Sequence, residues 1–258
     1  MLLAVDIGNT NIQYGMYDTT QEKWIGTWRS QTVHNRMADE YAVLLRSFFE
    51  ERGYDLGEVT AVVLASVVPD LTDTFVEVVE RYLDQQAFNI DAETDAGFKI
   101  LLDNPHELGP DRLVNAAAVR AAYSSPAIVV DLGTATTFDV LNADGDYIGG
   151  AIAPGIGLTH DALVSRAARL HKIELKPPPS AIGHNTIHAM QSGIFLGYVA
   201  MVEGLVRLII AELDSPHVTV IATGGLAPTI AQHTSVIQEL APNLTLEGMR
   251  IIWERNRG

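Results

Sequence analysis

The sequence contains no cysteine among its 258 residues. This absence excludes disulfide bonds, and it also excludes the cysteine thiolates that serve other proteins as nucleophiles or zinc ligands. The hydrophobic content of 47% is still enough for a sizeable core. Any catalysis must therefore use side chains other than a thiol.

Positively charged residues are scarce, since 17 lysines and arginines stand against 32 aspartates and glutamates, giving a net charge of −15. Such a charge favours solubility and makes nucleic acid a poor partner, so we predict that the protein binds none. The phosphate-binding pattern G-x-x-x-x-G-K-[ST] is also absent. If ATP binds, cations from solution must offset the charge of its phosphates.

The N-terminus lacks the basic region, apolar stretch and cleavage site of a signal peptide, and residues 1–7 read instead as a strand. We also expect no apolar run long enough to span a bilayer, and no membrane partner. These absences predict a cytoplasmic protein.

The stretch from residue 2 to residue 18 (L-L-A-V-D-I-G-N-T-N-I-Q-Y-G-M-Y-D) predicts a strand, a tight turn and a second antiparallel strand. Asp6 stands near the end of the first strand, and Gly8 lets the backbone approach a ligand closely. Asn9 and Thr10 add polar groups at the turn. Backbone N–H groups in such a turn suit phosphate, and the Asp6 carboxylate suits a metal ion.

The same device occurs again at residues 127–141 (A-I-V-V-D-L-G-T-A-T-T-F-D-V-L), where Asp131, Gly133 and Thr134 take the places of Asp6, Gly8 and Asn9. A single D-x-G turn is common in ordinary hairpins. Two copies, one in each half of the chain, instead predict a duplicated fold that binds a nucleotide.

The rest of the chain alternates between short apolar runs, which predict strands, and segments with apolar residues at helical spacing, which predict helices. Further strands are predicted at residues 23–29, 61–65, 98–103, 147–153 and 217–222. Helices are predicted at residues 38–52, 71–83, 113–123, 158–170, 185–213 and 244–255, the second of them capped by Asp70 or Thr72. The order of elements in the first half is repeated in the second, which supports the duplication.

Five motifs together resemble the type III pantothenate kinases, which belong to the superfamily of acetate and sugar kinases, heat-shock chaperones and actin. These motifs are D-I-G-N-T-N-I-Q-Y-G, N-P-H-E-L-G-P-D-R, V-V-D-L-G-T-A-T-T-F-D, G-G-A-I-A-P-G and T-G-G-L-A. They lie between residues 6 and 227, and the resemblance itself runs essentially from end to end. The resemblance implies an α/β fold of two similar ribonuclease H-like domains with mixed sheets flanked by helices. We predict these domains at residues 1–112 and 113–258.

The implied reaction transfers the γ-phosphoryl group of ATP to the primary hydroxyl of pantothenate, the first step of coenzyme A synthesis. Asp111 matches the family's catalytic Asp in G-x-D-R and is expected to accept the hydroxyl proton. Its alternative role is to cap the helix at residues 113–123. Arg112 suits the substrate carboxylate, with a surface ion pair as its alternative, and Gly109 and Pro110 would shape the pocket.

The resemblance also assigns the nucleotide and cation sites. Asp6 is expected to hold Mg²⁺ or Mn²⁺, and Asp131 resembles the family's ligand for K⁺ or NH₄⁺. The phosphates and adenosine are expected to contact small and polar residues in both halves, namely Asp6, Gly8, Asn9, Thr10, Asn11, Gln13, Gly133, Thr134, Gly224 and Gly225. The glycine pair has a plain alternative as a turn between strand and helix.

Thr186 resembles a residue that reaches the pantothenate pocket of a neighbouring subunit, which implies a homodimer packed through residues 185–213; helix capping by Asn185 or Thr186 is the alternative. Two positions depart from the family, because Leu102 stands where a Tyr is frequent and His184 where a Lys is common. Tolerated variation at the edge of a pocket accounts for both. A competing function is a non-catalytic nucleotide-binding regulatory protein on the same fold. Such a protein would be expected to lose one of Asp6, Asp111 and Asp131, and all three are present.

Overall fold

The structure is a computed structural model that describes residues 1–257 in two compact units. The first unit comprises Met1–Ala121 together with the C-terminal segment from Asn243, and the second comprises Ala122–Pro242. The predicted division at residue 112 differs from these units, because the helix after it and the C-terminal helix both belong to the first unit. The sequence order alone does not reveal that the C-terminal helix packs back on the sheet of the first unit.

The first unit is built on a mixed sheet of five strands. The strands are β1 (Leu2–Ile7), β2 (Asn11–Asp18), β3 (Lys23–Gln31), β4 (Ala61–Ser66) and β5 (Ala87–Ile90). Their order is β3-β2-β1-β4-β5; β2 runs antiparallel to β1 and β3, while β4 runs parallel to β1 and β5. Side chains of β1 alternate between faces, so Leu3, Val5 and Ile7 enter a core. Asp6 therefore lies on the opposite face.

Four helices complete this unit: α1 (Ala38–Glu51), α2 (Pro69–Leu83), α3 (Pro110–Ala122) and α8 (Leu244–Asn256). Apolar residues of α1 and α2 build the core with β1 and β2. Helix α8 packs on β1, β4 and β5, and Thr245 in it donates a hydrogen bond to Asn115 of α3 (2.9 Å). Short 3₁₀ turns lie at Leu56–Glu58 and Pro105–Glu107.

The second unit repeats this sheet. Its strands are β6 (Ala127–Leu132), β7 (Ala135–Leu141), β8 (Tyr147–Pro154), β9 (Thr219–Thr223) and β10 (Glu239–Leu240), in the order β10-β9-β6-β7-β8. Read from the other edge, this order and its directions match those of the first sheet. The duplication predicted from the two D-x-G turns is confirmed.

The helices of the second unit are α4 (Ile156–Arg166), α5 (Thr186–Gln191), α6 (Gly197–Leu213) and α7 (Ala227–Ala231). A π-helical turn at Ser192–Leu196 joins α5 to α6, so the predicted helix at 185–213 is continuous but irregular. By length and composition alone, Thr186–Leu213 is apolar enough to cross a membrane, and 33% of its most apolar window is buried. The expectation that no such run exists is wrong by this criterion, although a core helix of a soluble protein passes the same test.

Several local predictions are corrected. Residues 98–103 do not form a strand, since Ile100 alone makes a bridge and Leu101 is half-exposed at 52%. Helix α2 begins at Pro69 with Val68 as its N-cap, because a proline ring already has the backbone angle of a first helical residue. Pro110 starts α3 in the same way, three residues before the predicted start. Strands β5 and β10 and helix α7 are too short to produce a periodic pattern.

Candidate functional site

The first glycine turn, between β1 and β2, is closed by backbone hydrogen bonds. The Gly8 N–H donates to the carbonyl oxygen of Asn11 (3.1 Å). Thr32 holds the turn from outside, since its Oγ1 donates to the Gly8 carbonyl (2.6 Å) and its N–H donates to the Thr10 carbonyl (2.9 Å). A Cβ at Gly8 would lie 3.0 Å from the Asn11 oxygen. The turn is therefore compact, and hydrogen bonds to the carbonyl oxygens of Gly8, Thr10 and Asn11 hold its shape.

Asp6 and Gln13 lie opposite each other in the antiparallel pair of β1 and β2. Both side chains are half-buried and share the face that points away from the core. Asn9, Thr10 and Asn11 are exposed at the tip of the turn. The residues predicted to contact phosphates and a divalent ion are thus brought together at one end of this sheet.

The start of α3 lies at the same end of the sheet. The Val67 N–H, just after β4, donates to the carbonyl oxygen of Ile7 (3.1 Å). A Cβ built on Gly109 would lie 3.9 Å from Cγ1 of Val67 and 2.6 Å from Oδ1 of Asp111. Gly109 therefore leaves room for the Asp111 carboxylate beside the carboxyl ends of β1 and β4.

Asp111 is the second residue of α3, so it is not the N-cap that sequence reasoning offered as its alternative role. Its Oδ1 accepts a hydrogen bond from the Arg112 N–H (2.9 Å). Burial raises the pKa of the Asp111 carboxyl above its usual range, and the Arg112 N–H and guanidinium charge oppose that shift only in part. A carboxylate with a raised pKa is a better proton acceptor than an exposed one.

Pro110 and Arg112 are half-buried with Asp111 in the first turn of α3. Leu102 is also half-buried, in the irregular segment that precedes the 3₁₀ turn at Pro105–Glu107. Asn104 caps that turn, since its Oδ1 accepts from the His106 N–H (3.3 Å). The N-P-H-E-L-G-P-D-R motif is thus a capped turn followed directly by a helix start.

The second glycine turn, between β6 and β7, is one residue shorter than the first. The Gly133 N–H donates to the Ala135 carbonyl (3.1 Å), and Asp131 lies opposite Thr137 in the strand register. Gly155 supports the turn, because its N–H donates to the Thr134 carbonyl (3.1 Å) and a Cβ there would lie 2.4 Å from that oxygen. Gly155 ends the G-G-A-I-A-P-G motif, but the sequence analysis assigned it no role at this turn.

Gly224 contacts the same turn from the end of β9. Its φ of +90° is one that residues with a side chain rarely adopt. A Cβ at Gly224 would lie 2.6 Å from Oδ1 of Asp131 and 2.7 Å from the carbonyl oxygen of Leu132. Gly224 is therefore required by space as well as by conformation, and Gly225 beside it is exposed.

A buried tyrosine lies behind the second turn. Tyr198 of α6 shares a hydrogen bond with the Thr136 hydroxyl (2.6 Å). Burial raises the pKa of the Tyr198 phenol; the bond to Thr136 opposes this rise, and the negative charge of Asp131 adds to it. The field of Asp131 thus reaches into the core of the second unit.

Thr186 stands at the first position of α5. Asn185 is the N-cap, with its Oδ1 accepting from the His188 N–H (2.9 Å). Both residues and His184 line a cavity of about 670 Å³ whose other walls come from α4, α5 and the π turn. The capping role is therefore filled by Asn185, which leaves the exposed Thr186 side chain available for another contact.

Residues 1–257 contain no group of three or more histidine, cysteine, aspartate or glutamate side chains placed to hold a metal ion. A cation at Asp6 or Asp131 would have to complete its shell with hydroxyl, amide or backbone oxygens, water or substrate phosphate. Magnesium ions commonly bind in this way, through one or two carboxylates and the phosphates.

Comparison with known proteins identifies the family. The family model described as type III pantothenate kinase matches residues 2–208. A type III pantothenate kinase from Roseiflexus sp. (strain RS-1) is 49% identical over 257 residues and covers 100% of both chains. One from Moorella thermoacetica is 47% identical and covers 99% of this chain and 100% of its own.

A solved structure with low sequence identity supports the fold. The activator of 2-hydroxyisocaproyl-CoA dehydratase from Clostridium difficile, solved with bound ADPNP, is 12% identical. It matches with a TM-score of 0.58 over 98% of this chain and 94% of that chain. The predicted duplicated ribonuclease H-like fold is confirmed by this likeness and by the two matching sheets.

Proposed function

This chain belongs to the type III pantothenate kinase family, and we propose that it phosphorylates pantothenate with Asp111 as the base that accepts the proton of the substrate hydroxyl. The reaction is that of the family, an ATP-dependent step of coenzyme A biosynthesis. The observation that carries the assignment is the half-buried Asp111 carboxylate in the first turn of α3, whose pKa is raised by its partial burial. The net charge and the substrates also fit a cytoplasmic enzyme that binds no nucleic acid.

Arg112 follows the base directly and is proposed to bind the carboxylate of pantothenate. A guanidinium can grip a carboxylate with two parallel hydrogen bonds, which fixes the distance between the far end of the substrate and its reacting hydroxyl. Gly109, Pro110 and Leu102 would line this pocket, and Thr186 would add a polar contact from a partner subunit. Leu102 offers only an apolar wall, so a hydroxyl contact would have to come from another residue.

Asp6 is proposed to hold Mg²⁺ or Mn²⁺ near the phosphates, which the ion would neutralise when bound. The half-buried carboxylate beside a turn of exposed polar residues fits a hard cation that keeps some of its water. Gly8, Asn9, Thr10, Asn11 and Gln13 would surround the phosphates. Their task is to orient the γ-phosphoryl group towards the substrate hydroxyl.

Asp131 is proposed to hold a monovalent cation, K⁺ or NH₄⁺, beside the second glycine turn. The fit rests on Gly224, because a side chain there would fill the space against Oδ1 of Asp131. Gly133 and Thr134 would contact phosphate, and Gly224 and Gly225 the adenosine. A cation here would supply the positive charge that a phosphate-loop lysine supplies in other kinases.

The test is ATP-dependent phosphorylation of pantothenate by the purified protein, with KCl and NaCl compared at equal ionic strength. We expect turnover in K⁺ and much weaker turnover in Na⁺. ATP binding without any turnover would indicate the non-catalytic regulatory protein instead. Equal turnover in both salts would contradict the monovalent-cation site at Asp131, while the pantothenate kinase activity itself would stand.

We predict that kcat/KM for pantothenate falls on the acid side at a pH above the ordinary carboxyl value of about 4. The reason is that Asp111 accepts a proton only when ionised, and burial raises its pKa. A pH profile at saturating ATP measures this acid limb. A limb centred at or below the ordinary value would contradict the assignment of Asp111.

The apolar surface of β8 and α6 is proposed to form a homodimer. A groove of about 420 Å³ lies between these elements, and Leu208 and Ile152 are 68% and 67% exposed. A second copy would cover this surface. We expect Leu208→Glu to produce monomers in size-exclusion chromatography with light scattering, whereas Val43→Glu, at an equally exposed site on α1 (64%), keeps the dimer. A dimeric Leu208→Glu protein would place the interface elsewhere.

A further inference from the structure

A buried carboxylate in β7 has no part in the reaction as described so far. Asp139 is 0% exposed and ends the V-V-D-L-G-T-A-T-T-F-D motif. Its Oδ1 accepts from the Tyr147 hydroxyl (2.7 Å), and its Oδ2 accepts from the Thr137 hydroxyl (3.1 Å). A buried carboxylate is retained where donors satisfy its oxygens, and the Thr137 hydroxyl is one of these donors.

The bond from Thr137 fixes the direction of its hydroxyl group. A threonine hydroxyl has one proton and two lone pairs, and here the proton points to Asp139. Thr137 is the register partner of Asp131, so the two side chains share one face of the sheet, with Cβ atoms roughly 5 Å apart. The Thr137 oxygen therefore offers lone pairs on the face where the Asp131 carboxylate stands.

The first hairpin serves as an internal comparison. Asp6 there faces Gln13, and Gly15 occupies the position that corresponds to Asp139. The side chains of Trp24 and Leu246 pack on Gly15. A hairpin of this type thus folds without an acid at that position, so the turn itself does not require Asp139.

We propose that the Thr137 hydroxyl is a second oxygen ligand, beside Asp131, for the monovalent cation, and that Asp139 positions it by holding its proton away. This inference rests on the cation site proposed above. Uncharged oxygens whose negative ends face the ion are the groups that replace the water shell of K⁺ in proteins. A hydroxyl that could turn its proton towards the ion would no longer present the negative end of its oxygen to it.

The test is a K⁺ titration of wild type and Thr137→Val with two readouts. The first is the K⁺ concentration that gives half-maximal turnover, and the second is the rise in melting temperature when KCl replaces NaCl in the presence of ADP alone. We expect Thr137→Val to raise the first by roughly tenfold or more and to abolish most of the second, as for loss of one hydrogen-bonding group to a charge. Thr137→Ser, which keeps the hydroxyl, is expected to restore both readouts.

Thr136→Val is the matched control. Thr136 is the adjacent residue, but its hydroxyl lies on the opposite face with Tyr198. Its loss is expected to lower the melting temperature in both salts without changing the response to K⁺. A wild-type K⁺ response in Thr137→Val would overturn the inference alone, whereas a wild-type enzyme indifferent to K⁺ would overturn the cation site itself.

Discussion

Asp111→Asn is expected to lower kcat for pantothenate by roughly 10²–10⁴-fold, the usual contribution of a general base. Asparagine keeps the shape of the side chain and its bond from the Arg112 N–H but cannot accept the hydroxyl proton. The dissociation constant of ADP is expected to change little, because the variant leaves both glycine turns intact. Steady-state kinetics and calorimetric titration of ADP measure these two quantities.

The stability of Asp111→Asn is expected to stay the same or to rise, although its activity falls. The pKa of Asp111 is raised by folding, so at neutral pH the ionised carboxylate lowers the free energy of unfolding, and this penalty disappears as the pH falls through the raised pKa. Asp111→Asn should therefore melt at the same or a higher temperature than wild type at pH 7. Asp103→Asn, at an exposed site before the same motif, serves as the control and should change neither activity nor stability. Turnover within tenfold of wild type in Asp111→Asn would exclude it as the base.

Gly248→Ala is expected to lower the free energy of unfolding by about 3 kcal/mol, the upper part of the range for overpacking a core. A Cβ at Gly248 of α8 would lie 1.8 Å from the carbonyl oxygen of Val114 and 2.5 Å from its carbonyl carbon in α3. Both atoms are backbone, so no flexible side chain can yield and the two helices have to move apart. Activity is expected to fall as well, because α3 carries Asp111 and Arg112.

Chemical denaturation measures the loss, and a thermal scan should show a decrease of roughly 6–12 °C. Gly204→Ala in α6 is the matched control, since nothing lies within 4 Å of the Cβ it would add. That variant is expected to gain about 0.5–1 kcal/mol from better helix propensity. A stability of Gly248→Ala equal to wild type would show that the helices are not held as closely as the structure indicates.

The duplicated sheets could be predicted because each D-x-G turn follows a strongly apolar strand, and such strands are read from local pattern alone. The G-x-D-R motif singles out Asp111 as the proposed base, but its place inside the helix could not be predicted. Pro110 starts α3 three residues before the apolar pattern begins. The role of Asp139 depends on strand register, which brings Thr137 opposite Asp131. The contact of Gly248 with Val114 joins residues far apart in sequence, and no local pattern reports such a contact.

The return of α8 to the first sheet has a consequence for synthesis on the ribosome. The second unit, Ala122–Pro242, leaves the ribosome before α8 does, so it can fold while the first unit still lacks its last helix. At about 5–20 residues per second, the first unit waits roughly 6–24 s for that helix. During this interval we expect the apolar side chains of β1 that face α8 to be uncovered, which exposes the nascent chain to aggregation or to capture by a chaperone.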